Sequence, residues 1–387
     1  MKVAILVRIL WGAGAAKIAI NKAKEMEGIG NDVTLFFLRN CLSKNVYAEI
    51  LQGLNVRVIN ETGEYTSMLS PVYSYISSFF SHLPFKLNKE FRAEVRIDLD
   101  LLLKFWRNIR NDNFALLICH DEYSAIAGFK SMKKLDVKYD VFLHEHLEDL
   151  STPLGEFITY YRFKVPKGAR RLFDVIEKIS TQVQRKYKLQ VAPNPPGFNN
   201  FPVVPTEKRE EALVSITSFG LNASSNISNK DFRESFLFLK MEKLLDEYKF
   251  IMIRAIKSKI DYERFRNIYL KSGSKVNFIT EIGEEEKLRI LSRSKFLVRL
   301  GYHENGLGMS VSEAVSCGVP AIINRDLGSS IIVEKFEAGF VLQERTPEAI
   351  AKIVKSTSRK DYDSLVYNAL RLIESWGWDK HAEQFLL

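Results

Sequence analysis

Short apolar runs of strand length alternate with amphipathic stretches of helix length along most of this 387-residue chain. Such alternation argues for parallel sheets, because a strand that returns through a helix re-enters its sheet in the same direction, with helices covering both faces. Lys2–Leu10 reads as a buried strand, Trp11-Gly12-Ala13-Gly14 as a tight turn, and Ala15–Met26 as a helix that Gly28-Ile29-Gly30 ends. Val33–Leu38, Val56–Ile59, Phe114–Cys119 and Val141–Leu143 read as further strands, with a helix around Ser124–Lys133.

The pattern breaks at Val191–Pro205, where five prolines, three asparagines and a glycine exclude regular structure and mark a linker. A second series follows. Its strands are Leu213–Thr217, Phe250–Ile253, Val276–Ile279, Phe296–Leu300 and Ala321–Ile323. Its helices are Lys230–Glu247, Tyr262–Ser272, Glu284–Arg293 and a short one near Ser310–Ser316. The fold class expected is α/β, with two doubly wound parallel-sheet domains at 1–192 and 206–370, a linker at 193–205, and a last segment, 371–387, returning to the first domain. Ligands of such sheets bind beyond the carboxyl ends of the strands, so a cleft faced by both sheets is the expected site.

Composition removes several classes. Cys41, Cys119 and Cys317 are odd in number and far apart, which fits a reducing cytoplasmic setting and no disulfide framework. Arg8 interrupts the first apolar run, so no signal peptide is read. The longest uncharged stretch, residues 65–85, holds six serines and two prolines and is too polar to span a bilayer. Its aromatics, among them Tyr73, Phe79 and Phe80, suit a docked surface loop, a membrane interface or a mobile acceptor-binding segment. The net charge is +9, and residues 1–192 carry 28 Lys and Arg against 21 Asp and Glu, so +7 of it lies there. Arg162, Lys164, Lys167, Arg170 and Arg171 form the densest basic run. It reads as a solvated face or as a contact for phosphate or an anionic membrane; with no recognised motif beside it, nucleic acid is not expected.

The chemistry concentrates in Gly301–Pro320, GYHENGLGMSVSEAVSCGVP, between a buried strand and a helix. Gly306 and Gly308 allow close backbone approach, and the helix start near Ser310 offers N–H groups and a positive dipole end to an anion. Glu313, one turn in, is placed to accept hydrogen bonds from paired hydroxyls such as those of a ribose. Ser310-Val311-Ser312-Glu313 also matches a capping box, so the residues alone leave both readings open.

This segment resembles the nucleotide-sugar motif of family-four glycosyltransferases, E-G-F-G-x-x-x-x-E-A-x-x-x-G-x-P. Gly306-Leu307-Gly308 matches G-F-G, Glu313-Ala314 matches E-A, and Cys317-Gly318-Val319-Pro320 matches the close. Gly30-Asn31-Asp32-Val33, Ala192-Pro193-Asn194, Gly328-Ser329-Ser330 with Glu334, and Ala338-Gly339-Phe340-Val341 resemble other stations of that family, so the likeness covers almost the whole chain. It implies a GT-B fold of two Rossmann-like domains and retaining transfer of a hexose from a UDP-, GDP- or ADP-sugar to a glycan or lipid-linked acceptor. It implies no metal and no cofactor apart from the donor itself.

The resemblance also assigns roles. Glu313 would hold the donor ribose. Asn305 stands where the family has its sugar-contacting glutamate, and Glu304 lies one step earlier. Lys230 matches the family's diphosphate lysine, while Thr217-Ser218-Phe219-Gly220 lacks its arginine; Arg254 or Arg299 would supply that charge, unless each pairs with a carboxylate at the edge of the core. Ser329 and Ser330 would reach the phosphates, and Gly12 and Gly14 would form the first-domain loop near donor or acceptor. His144 would orient the sugar, with His146 in reserve, and His120-Asp121 would stand near the acceptor. The histidines have no metal-ligand spacing, Asp98-Leu99-Asp100 lies in a helical pattern, and neither a G-x-G-x-x-G nor a Walker loop is present. A non-catalytic carbohydrate-binding or scaffold protein of the same fold is the competing class, and a sugar epimerase or phosphorylase a third.

Overall fold

The computed structural model describes residues 1–10, 14–40, 51–59, 107–120, 136–143, 169–174, 192–193, 197–199, 201–219, 228–256, 259–280, 282–301 and 308–383, with a few single positions between 105 and 135. At 8, 9, 39, 40, 143, 174, 193, 218, 219, 228–233, 256 and 259–261 only the backbone is described. The chain divides into two compact units, Met1–Pro195 with Ala382–Leu387, and Pro196–His381.

The first unit is built on a parallel sheet of seven strands in the order β3-β2-β1-β4-β5-β6-β7. These are β1 (Lys2–Leu10), β2 (Asp32–Asn40), β3 (Asn55–Val58), β4 (Leu116–His120), β5 (Lys138–Leu143), β6 (Arg171–Asp174) and β7 (Ala192–Pro193). Helix α1 (Gly14–Gly28) joins β1 to β2 and buries Ile18, Ala19, Ala23 and Met26. Its end follows from the glycines: Gly30 takes φ +86, which lets the amide of Asn31 turn back to the carbonyl of Met26.

The second unit carries a six-stranded parallel sheet in the order β10-β9-β8-β11-β12-β13. Its elements run β8 (Glu210–Phe219), α2 (Ser228–Glu242), β9 (Lys249–Ile256), α3 (Lys259–Ser272), β10 (Asn277–Thr280), α4 (Glu284–Arg293), β11 (Ser294–Arg299), α5 (Met309–Ser316), β12 (Ala321–Asn324), α6 (Ser330–Lys335), β13 (Gly339–Leu342), α7 (Pro347–Ser356), α8 (Arg359–Ser375) and α9 (Trp378–Glu383). One core lies on the face that includes Phe238, Phe250, Phe296, Ile322 and Tyr362, and the other on the face that includes Val214, Leu297, Val315, Ile323 and Leu372. Strand residues alternate between them, Ile322 to one and Ile323 to the other, as a sheet covered on both sides requires.

Both units place their first strand next to their fourth, the doubly wound arrangement expected from the alternation. Three details differ from the sequence reading. Ala192–Pro193, inside the proline-rich break, pairs with Phe173–Asp174 as an edge strand, where a proline's missing N–H does no harm. Helix α2 stops at Glu242, five residues short of expectation, in turns at Lys243 and Leu244. Strands β6 and β13, four residues each, are absent from the sequence reading. Cys119 and Cys317 are buried, as expected of small core residues. No described helix is long and apolar enough to cross a membrane.

Candidate functional site

In the second unit the strand order reverses between β8 and β11, which directs attention to the carboxyl ends of those strands. Four polar side chains from β8, β9, β11 and α2 form one buried chain there. Arg299, the last residue of β11, forms an ion pair with Glu234 of α2, and both are almost fully buried. Ser215 Oγ of β8 lies 3.5 Å from the other oxygen of Glu234 and accepts from Nη2 of Arg254 at 2.9 Å. Arg254 is fully buried and also donates to Ser235 Oγ (2.9 Å) and to the carbonyls of Ser215 (2.8 Å) and Ile253 (2.9 Å). Both arginines that the sequence offered for a diphosphate are therefore tied to their own domain in this conformation. The carboxylate partner is Glu234.

Beyond β11 the chain passes Gly301, where an added Cβ would lie 3.1 Å from the guanidinium of Arg299, so this position holds no side chain without displacing the arginine. Its carbonyl accepts from Arg345, which pairs with Asp326 at 2.8 Å. Helix α5 opens after Gly308, whose φ of +70 and ψ of 111 bring the chain sharply into the helix. A Cβ at that φ would crowd the following carbonyl, so the glycine is a geometric need. The helix thus begins at Met309, and its N-cap residue, Gly308, has no side chain with which to cap it. The capping box Ser310–Glu313 does not form, because Ser310 already lies inside the helix. The amides of a first turn have no partner within their own helix and carry the positive dipole end, which suits an anion.

Glu313 opens the second turn of α5, is 3% exposed, and places Oε2 2.9 Å from Nζ of Lys287 on α4. The same ammonium lies 2.6 Å from Glu284 Oε1, one turn earlier on α4. One cation therefore bridges two carboxylates. The motif's Cys317-Gly318-Val319 close ends the helix as a Schellman turn: the Gly318 amide bonds to Val315, the Val319 amide to Ala314, and Gly318 takes φ +66. Arg209 completes that end by donating to the carbonyls of Gly318 (2.7 Å) and Cys317 (3.3 Å).

Ser329 and Ser330 are buried where α6 begins, and Ser330 Oγ donates to the carbonyl of Arg325 at 3.1 Å. Glu334 pairs with Arg325 at 2.9 Å on the surface. Lys230 is the third residue of α2, and its backbone alone is described. Glu304, Asn305, Gly306 and Leu307 lie outside the described residues, as do Gly12, Asp121, His144, His146 and the pair Asp98 and Asp100.

In the first unit Gly14 opens α1, and His120 ends β4, fully buried and stacked on Phe142 at 5.1 Å. Lys22 Nζ sits 4.2 Å from the centre of the Phe142 ring. Burial holds Lys22 well below its ordinary pKa, against the pull of Asp140, which itself pairs with Arg170 at 2.6 Å and Arg171 at 3.4 Å. Sequence reasoning missed Lys287, Glu234 and Arg209. The signal for Lys287 was present: it shares a stripe with Leu291, so a lysine stands on the apolar face of an amphipathic helix.

Residues 244–370 match the family described as glycosyl transferases group 1. No curated protein is similar enough in sequence to match. Among solved structures, HepE of Anabaena, in complex with UDP and glucose, is similar with a TM-score of 0.74 and 11% identity, over 100% of this chain and 98% of that one. Sucrose-phosphate synthase from Thermosynechococcus elongatus gives 0.69 and 13%, over 99% and 97%. The lipopolysaccharide outer core galactosyltransferase WaaB, in its apo form, gives 0.60 and 16%, over 100% of both chains. At these identities the likeness is one of fold, and the fold is GT-B, two Rossmann-like α/β units.

Proposed function

We propose that this protein is a glycosyltransferase that moves a hexose from a nucleoside-diphosphate sugar to a glycan or lipid-linked acceptor, with retention at the anomeric carbon. The observation that carries the reading is the start of α5. A positive-φ glycine at the N-cap opens the helix that follows β11, and a buried glutamate follows one turn in. The family match over 244–370 and the neighbours solved with UDP or UDP-glucose support a nucleotide-sugar donor.

In this reading the diphosphate lies against the first turn of α5, with Lys230 and the Ser329–Ser330 turn stabilising the charge that grows on it as it leaves. Glu313 accepts from the ribose hydroxyls. The bond from the anomeric carbon to the phosphate oxygen breaks while the acceptor oxygen bonds to that carbon from the same face. The departing phosphate takes the acceptor's proton, so no carboxylate base is required. His144 orients the sugar, and His120 with Asp121 lies on the acceptor side. The basic first unit suits an anionic membrane surface on its cytoplasmic side.

A screen of thermal stability against UDP-, GDP- and ADP-sugars tests the proposal. A donor at a hundred times its dissociation constant adds about 2.7 kcal/mol of stability. One class should shift the transition and be turned over with release of its diphosphate; no shift with any of the three overturns it. Nucleotide binding without turnover across a broad acceptor panel identifies instead the non-catalytic binding protein. The internal pairing of Arg254 and Arg299 favours that second reading.

A further inference from the structure

Lys287 is the one described side chain that links the candidate nucleotide helix α5 to its neighbour α4 through charge, and the reaction described above gives it no part. Its ammonium is nearly buried, 2.6 Å from Glu284 and 2.9 Å from Glu313. A carboxylate that receives two ribose hydroxyls must present its oxygens in a fixed orientation, and a long glutamate side chain has rotamers to lose before it does. Lys287, anchored to Glu284 on its own helix, removes that freedom by holding Oε2 of Glu313. It also supplies the charge that lets a carboxylate stay buried beside a second one.

We propose that Lys287 is a positioning residue for recognition of the donor's ribose: it touches neither ribose nor diphosphate, and acts by orienting Glu313. This rests on the reading of Glu313 as the ribose contact. The hydroxyls donate to Glu313 and the ammonium holds the carboxylate from behind, so the lysine selects for a ribonucleotide without meeting it. Glu284 fixes the lysine in turn, and the three residues form one relay across two helices.

The test compares UDP with 2′,3′-dideoxy-UDP on the full chain, by calorimetry, for wild type, Lys287→Met and Lys287→Arg. GDP and ADP with their dideoxy forms take their place if those are what the wild type binds. Wild type should prefer the ribonucleotide; Lys287→Met should lose that preference, binding the ribonucleotide at least tenfold more weakly and the dideoxy form almost unchanged. Lys287→Arg should restore most of it. In turnover, Lys287→Met should raise the KM for donor far more than it lowers kcat. Should Lys287→Met not fold, Lys287→Gln, which keeps a polar amide but neither the charge nor the reach of the lysine, carries the same comparison. Equal weakening of both nucleotides, or none, overturns the positioning role while the nucleotide site stands. A wild type that binds no nucleotide overturns the function itself, and the two failures are thereby distinct.

Discussion

Lys22 shows what a single buried charge does to a domain of this kind. Its side chain is fully buried on α1, and its pKa is held well below 10.5 chiefly by burial. Between that lowered value and 10.5 the unfolded chain binds a proton that the native one lacks. Stability therefore rises with pH through the window, and the full penalty stands below it. Lys22→Met removes the penalty. Its gain in denaturation midpoint over wild type should be larger at neutral pH than near pH 10.5 and shrink as pH rises between them; a gain equal at pH 7 and pH 10.5 contradicts this. At the same scale, the sequence made Glu313 visible through the glycines around it. It marked Lys287 only as a lysine on an apolar helix face and hid its pairing with Glu313, as it hid Glu234, because these partners stand on another element, at a distance along the chain that no spacing rule reaches.

Elements were legible where their period was long and their ends chemically marked. Helix α4, with three glutamates in its first turn and an arginine in its last, begins and ends where the sequence reading put it. Helix α5 begins one residue early because the turn at Gly308 depends on backbone geometry, while the reading looked for a serine cap. Of the four-residue strands, β3, β10 and β12 were legible while β6 and β13 escaped, and the pairing of β13 depends on a glycine. Gly339 takes φ +155 opposite Ala321 of β12, and an added Cβ would run into the Ala321 carbonyl oxygen. Gly339→Ala should therefore destabilise the second unit by at least about 3 kcal/mol, since the clash is with backbone that cannot turn aside. Urea denaturation followed by a probe within residues 196–381 reads this, and a change under about 1 kcal/mol would mean that the β12–β13 pairing yields more easily than a packed sheet should.

At the level of the whole chain, the six strands of the second sheet repeat the order of the first six of the other, and the candidate donor residues Arg254, Arg299, Gly308, Glu313, Ser329 and Ser330 belong to Pro196–His381 while Gly14 belongs to the first unit. The alternation of strand and helix carried that architecture, because it follows from how apolar faces must be covered. Several residues to which the resemblance gives donor or acceptor roles, Gly12, Asp121, His144, His146 and Glu304–Leu307, lie outside the described residues, and no periodicity marks them. The proposed activity depends on what the start of α5 holds. Titrating UDP, GDP and ADP calorimetrically into the full chain and into Glu313→Gln tests it most directly. One of the three should bind the wild type and bind the variant at least tenfold more weakly, about 1.4 kcal/mol. A variant that binds as tightly as the wild type, or a wild type that binds none of them, would contradict the account.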